Sequence, residues 1–261
     1  MSKLIQSVIV LVVAIIVVHS IYMGLVWPEA NLALEASKQA GQSAPRNLYV
    51  ILKDYEQEVC IILMIWGIYL IVDKCVSILK DQYLFNVDLL KDSHANKDDL
   101  RSVLTSLEGL PQTIRNTPLV KTILSSIRRF LITNDVQSTS DAIETSIEAL
   151  ALKQEAENSM IRYLIWAIPS IGFIGTVRGI GEALSQADQA LSGNIAGMTD
   201  SLGVAFNSTL VALLISIALM FLLHQLQRLQ DGLIVETRDY CEAFFLNRIG
   251  LTKQAPTETK A

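Results

Sequence analysis

The sequence predicts an all-α membrane protein: four transmembrane helices with long cytoplasmic helical extensions. Two observations carry this. Apolar residues make up 51% of the 261-residue chain and mean hydropathy is +0.40, above what an ordinary soluble domain carries. Four apolar runs reach or approach spanning length, and no stretch shows the two-residue alternation of a half-buried strand.

The first run, Leu4–Trp27, follows Lys3. It exceeds the apolar region of a signal peptide and no small-x-small cleavage site follows it, so it reads as a retained anchor. The second, Val59–Val72, is 14 residues long and is followed by Asp73 and Lys74. It spans if those charges lie near the interface, where a lysine can snorkel. The third covers about Met160–Leu184 and the fourth Ser201–Leu223. The chain then divides into residues 1–80, a helix pair with an outer loop from Pro28 to Glu58; 81–155, a cytoplasmic helical region; 156–225, a second pair of spanning helices; and 226–261, a C-terminal helix and tail. With both termini inside, 17 of the 21 Lys and Arg residues face the cytoplasm, as the positive-inside rule requires.

Region 81–155 reads as helical with breaks at Gly109-Leu-Pro111, Asn116-Thr-Pro118 and Thr133-Asn-Asp135. Ser138 and Asp141 fit a capping box. No glycine or proline intervenes before Pro169, so one helix runs from about Ser140 into the third span. At 1.5 Å per residue its length is roughly 65 Å, more than twice the hydrocarbon thickness. Leu226, Leu229, Leu233, Tyr240 and Phe244 continue a helical stripe beyond the fourth span.

Glycine is disfavoured in a helix by about 1 kcal/mol relative to alanine, yet the third span carries Gly172, Gly175 and Gly179 on one face, with Ala183 continuing it. Small residues at this spacing let helices approach closely in lipid. The fourth span repeats the pattern with Ala205, Ser208, Thr209, Ala212 and Ser216. Thr176 lies eight residues before the end of the third span and Thr209 eight residues after the start of the fourth. In antiparallel helices both hydroxyls then sit about 12 Å below the outer surface. That makes Thr176, Thr209 and Ser208 the candidate ion pathway, against the plainer reading that each threonine bonds its own helix. Arg178 has Glu182 at i+4. The two form either a stabilising pair at the outer mouth or the group that sets the field at a pore entrance. His19 reads as a helix-contact residue.

Several chemistries lack their residues. There is no GxxxxGK[ST] loop, no hydrolytic triad and no cysteine–histidine cluster, so neither an enzyme, a metal site nor a cofactor is expected. The net charge of −5 gives no basis for nucleic-acid binding. No span holds a lone deep carboxylate, so a titrating group has to come from another chain.

The segments GFIGTVRGIGEAL (Gly172–Leu184) and AFNSTLVALLISI (Ala205–Ile217) resemble the MotA/TolQ/ExbB proton-channel family over about residues 162–223. The resemblance implies that 156–225 is a channel domain in a bacterial inner membrane. It implies a pentamer of this chain around a dimer of a MotB/TolR/ExbD-like single-span partner, whose membrane aspartate carries the proton and whose motion is rotary. The family's paired pore threonines fall on Thr176 and Thr209. Val204 stands where TolQ- and ExbB-type members place a glutamate, Ala218 near where they often place a proline, and Arg178 where an apolar or aromatic residue is common. The rival reading is a non-conducting membrane scaffold that uses its small-residue faces only to assemble.

The orientation is open to a direct test. A membrane-impermeant thiol reagent applied to intact cells is expected to label Ser185→Cys and to leave Ser140→Cys unlabelled; the opposite pattern inverts the topology.

Overall fold

A chain crossing lipid finds no water for its amides and carbonyls, so it must pair them within itself. The computed structural model, which describes residues 2–39, 45, 47–87, 97–193, 195–247 and 249, does this with helices alone: among the described residues there is no strand. Four helical stretches are long and apolar enough to span, at Leu4–Ser37, Tyr55–Phe85, Val136–Ser185 and Ala196–Leu246.

Helix α1 (Ser2–Ile21) passes through a π turn at Tyr22–Val26 into α2 (Trp27–Gln39). Residues Pro28 to Gln39, expected as the first part of the outer loop, are therefore helical. Proline lacks an amide proton and clashes with the carbonyl four residues back, and the wider π turn just before Pro28 eases that clash without ending the helix. Helix α3 (Leu48–Leu52) is capped by Asn47, whose side chain accepts from the Val50 amide at 2.8 Å. Helix α4 (Tyr55–Asp81) is unbroken through Asp73 and Lys74. Lys74 is held by Glu157 at 2.8 Å, an ion pair where snorkelling was expected. A 3₁₀ turn at Gln82–Asn86 follows.

The three expected breaks all appear, separating α5 (Lys97–Glu108), α6 (Gln112–Arg115), α7 (Pro118–Thr133) and α8 (Val136–Ser185). Asn134 takes the left-handed conformation, φ 53°, that ends α7. The cap of α8 is Asp135, accepting from the Ser138 amide at 2.8 Å, three residues earlier than the Ser138 box. The long third helix is 50 residues and runs through Pro169. Helix α9 (Ala187–Leu191) and then α10 (Ala196–Tyr240), with a π turn at Cys241–Leu246, complete the order.

The chain forms two compact units, each discontinuous in sequence. One comprises Met1–Asp73 and Ser159–Gln225, the other Lys74–Asn158 and Leu226–Ala261. The second has a conventional apolar core, in which Leu100, Leu119, Ile123 and Ile127 pack with Phe245 and Ile249. In the C-terminal stripe Leu226, Leu233 and Tyr240 are buried, whereas Leu229 is exposed and Phe245 rather than Phe244 fills the core. Asn158 and Gln230, both buried, exchange side-chain hydrogen bonds at 2.7 and 3.4 Å.

In the first unit Ile161, Leu164 and Ile168 of α8 are fully buried, as are Ala205, Ala212 and Leu219 of α10. Proline 169 cannot donate to the carbonyl of Ile165, and that carbonyl accepts instead from the Ser216 hydroxyl of α10 at 2.8 Å, in a buried position. Pro169 and Ser216 are thus one unit of hydrogen bonding. Ser216→Ala is expected to destabilise the protein by about 1–3 kcal/mol, the cost of an orphaned carbonyl. In a Pro169→Ala background the helix serves that carbonyl itself and the same change should cost much less. Thermal unfolding in detergent checks the pair; equal costs in both backgrounds would show that the residues act separately.

Candidate functional site

The site is built on the crossing of α8 and α10, and the glycines make that crossing close. A Cβ on Gly172 would stand 2.5 Å from the Ala212 Cβ, and one on Gly175 2.6 Å from the Ser208 Cβ. On Gly179 it would meet the Ala205 nitrogen and the Ser201 carbonyl at 2.8 Å. Of the five small residues expected at helix packing, Gly172 meets Ala212 and Gly179 meets Ala205, while Gly175 meets Ser208, all inside a single chain. The face fastens the protomer's own helices.

The close approach brings Thr176 and Thr209 into contact, their hydroxyls hydrogen-bonded to each other. Each also crosses to its partner's helix in a reciprocal pattern. Thr176 Oγ1 reaches the carbonyl of Ala205 at 3.0 Å, four residues before Thr209. Thr209 Oγ1 reaches that of Gly172 at 3.3 Å, four residues before Thr176. Thr176 also lies 3.3 Å from its own i−4 carbonyl, Gly172, so the local bond is present but shared. With one proton between the hydroxyls and the other on a carbonyl, both protons of the pair are used. What the pair has left is lone pairs, which accept hydrogen bonds. Ser208, next in sequence, is not part of this arrangement. It is buried, donates to Val204 at 3.0 Å and receives Gln57 Nε2 of α4 at 3.4 Å.

Toward the 185–195 connection, Arg178 keeps its expected bond to Glu182 at 3.1 Å. Its main partner was not foreseen. Nε and Nη2 grip both oxygens of Glu56 at 2.8 and 2.9 Å, a bidentate pair with the geometry that favours guanidinium. Nη2 also lies 3.4 Å from Asp54. Three carboxylates thus surround one cation, which leaves the cluster net negative. Burial pushes the Asp54 carboxyl above its ordinary range, with the Glu56 charge adding to the effect and Lys53 and Arg178 opposing it. Counting from span ends does not find this pair: the expected second span starts at Val59, which leaves Glu56 outside it, whereas Arg178 lies six residues inside the end of the third span, and the helix begins instead at Tyr55. His19 is a helix contact with a charge partner, its Nδ1 2.8 Å from the buried Glu58.

Residues 115–239 match the MotA/TolQ/ExbB proton channel family. The chain carries a domain of that family. The MotA/TolQ/ExbB match reaches further than the resemblance of the two spans, taking in α7, the first half of α8 and most of α10, while leaving α1 to α5 outside it. Neither the curated proteins nor the solved structures contain a match to the chain.

The packing of this MotA/TolQ/ExbB crossing is testable by adding single methyl groups. Gly179→Ala forces backbone apart and is expected to destabilise the protein by about 1–3 kcal/mol. Gly181→Ala, where a Cβ meets nothing within 4 Å, should be neutral or stabilising by up to about 1 kcal/mol. Thermal unfolding of the two variants side by side gives the answer, and equal behaviour would remove the glycine face from the crossing.

Proposed function

We propose that the chain is the pore-forming subunit of a proton-driven rotary motor in a bacterial inner membrane. In this reading copies of it, five by family resemblance, surround a single-span MotB/TolR/ExbD-like partner dimer whose membrane aspartate carries the ion. The observation that carries the proposal is the reciprocal Thr176–Thr209 pair, set at the close crossing of two spanning helices in a chain of this family.

The chemistry of the pair fits a proton rather than a bare carboxylate. Its lone pairs accept from a protonated carboxyl group or from water beside it, and each rotation step passes the partner's acid from one such acceptor to the next. The driving force available is about 2.3 kcal/mol per charge for each 100 mV of membrane potential. Arg178 does not present a free positive charge to the mouth, because Glu56, Asp54 and Glu182 surround it; the excess of carboxylates attracts cations to that end. The exposed apolar side chains of α8 and α10, including Ile174, Val177, Phe206 and Ile217, supply surface for lipid and for neighbouring copies. The scaffold reading rested on small-residue faces left for assembly, and those faces are occupied within the protomer.

The test replaces hydroxyls and keeps shape. Thr176→Val and Thr209→Val remove an acceptor at a position that hydrogen-bonds the buried acid, a loss of about 1–3 kcal/mol, so proton flux should fall roughly ten- to a hundredfold. Thr176→Ser and Thr209→Ser keep the hydroxyl and should retain most of the flux. The assay is proton flux in vesicles holding the chain and its partner, with oligomer content checked in parallel. Wild-type flux in both valine variants would make the threonines packing residues only.

A further inference from the structure

Among the described residues, three buried side-chain atoms have no hydrogen-bond partner: Tyr22 Oη, Asp54 Oδ2 and Gln57 Oε1. Asp54 and Gln57 bracket the first turn of α4, and Tyr22 reaches that turn through the ring contacts of Trp27. The Asp54 carbonyl starts that helix, accepting from the amides of Gln57 and Glu58 at 3.2 and 3.3 Å. Tyr22 sits in the π turn and packs edge-on against Trp27, which meets Tyr55 and donates its Nε1 to the Lys53 carbonyl at 2.9 Å. Tyr22 is 2% exposed and Gln57 1%, so bulk solvent does not serve them.

Buried polar atoms in folded proteins are almost always paired, and ordered water does the pairing where protein groups do not reach. The chemistry of this set selects water. It offers one donor, the tyrosine hydroxyl, and two acceptors, the carboxylate and amide oxygens; a water molecule offers two donors and two acceptors. A metal cation is disfavoured because the other oxygen of Asp54 already faces Arg178 at 3.4 Å, and an anion because two of the three atoms are acceptors.

We propose that Tyr22, Asp54 and Gln57 hold ordered water at the start of α4, in a hydrated pocket that joins the Arg178 carboxylate cluster on one side to Ser208 on the other. Both links are direct. Asp54 Oδ1 accepts from Arg178 Nη2, and Gln57 Nε2 donates to Ser208 Oγ at 3.4 Å. The amide of Gln57 is anchored by a second bond to the Ile51 carbonyl at 3.0 Å, which aims its oxygen away from that carbonyl. The pocket lies within one protomer and needs neither partner nor ion flux.

Radiolytic hydroxyl-radical labelling read by mass spectrometry, on the full chain in lipid nanodiscs, tests this, because water held beside a buried side chain is the local source of the radical. The reference is Tyr240, 4% exposed, with its hydroxyl bonded to the Val87 carbonyl. Tyr22 is expected to label at least about tenfold faster than Tyr240, despite equal burial, because a polar site holds water where an apolar one stays dry. Gln57→Leu removes one acceptor and should cut the Tyr22 rate severalfold while leaving Tyr240 unchanged. Labelling of Tyr22 as slow as Tyr240 in the wild type overturns the proposal, whether or not the variant folds. A Tyr22 rate unchanged in a folded Gln57→Leu protein removes Gln57 from the pocket and overturns the link to Ser208.

Discussion

The contact between α8 and α10 rests on side chains that are not there. At Gly172, Gly175 and Gly179 a single carbon would collide with Ala212, Ser208 or the backbone at Ala205. Removing those carbons brings the two backbones within reach of short side chains, and this is what lets each threonine hydroxyl find the carbonyl of the opposite helix. At an ordinary helix spacing of 8–10 Å a threonine falls back on its own i−4 carbonyl, and the pair would dissolve into two separate local bonds. The geometry of the site is therefore a consequence of packing.

The first helix pair is more than an anchor. Three side chains at the start of α4 reach the other spanning helices: Glu56 to Arg178, Gln57 to Ser208, and Cys60 to the Ile168 carbonyl at 3.7 Å. The family match begins only at residue 115, so these contacts come from a part of the chain that the shared domain does not include. Arg178 and Glu56 belong together for the same reason: a guanidinium within the apolar level of a helix needs a carboxylate beside it, and the first turn of α4 delivers one at the right height.

Much of this architecture was legible because it follows from local rules. Glycine and proline punctuation marked the breaks between α5, α6, α7 and α8, and residue counting from span ends put Thr176 and Thr209 at one depth. What escaped depended on tertiary choice. Spacing shows that Gly172, Gly175 and Gly179 share a face, but it does not show whether that face meets the same chain or another copy. Asp54 and Glu56 fell in the expected outer loop, before the span that starts at Val59, so nothing in the sequence set them beside Arg178. Asp135 and Ser138 are both competent caps, and the three-residue shift between them was decided by where α7 ends at Asn134. Pro28 read as a terminator because nothing in the sequence announces a π turn.

That π turn settles a matter of phase. The buried residues of the first helix are Ala14, Val18, Tyr22, Val26 and Ala30, a repeat of four. On an ideal α-helix, with 3.6 residues per turn, a repeat of four drifts by about 40° at each step, and over this stretch the stripe would wind nearly half-way round. A turn that closes over five residues absorbs part of the surplus. The widening at Tyr22–Val26 therefore acts as a vernier: it resets the angular count so that α1 and α2 keep one edge toward the same neighbours. The length of those five residues is as much a part of the design as their identity, since losing one would turn Trp27 and Ala30 by roughly a quarter of a revolution relative to Ala14 and Val18.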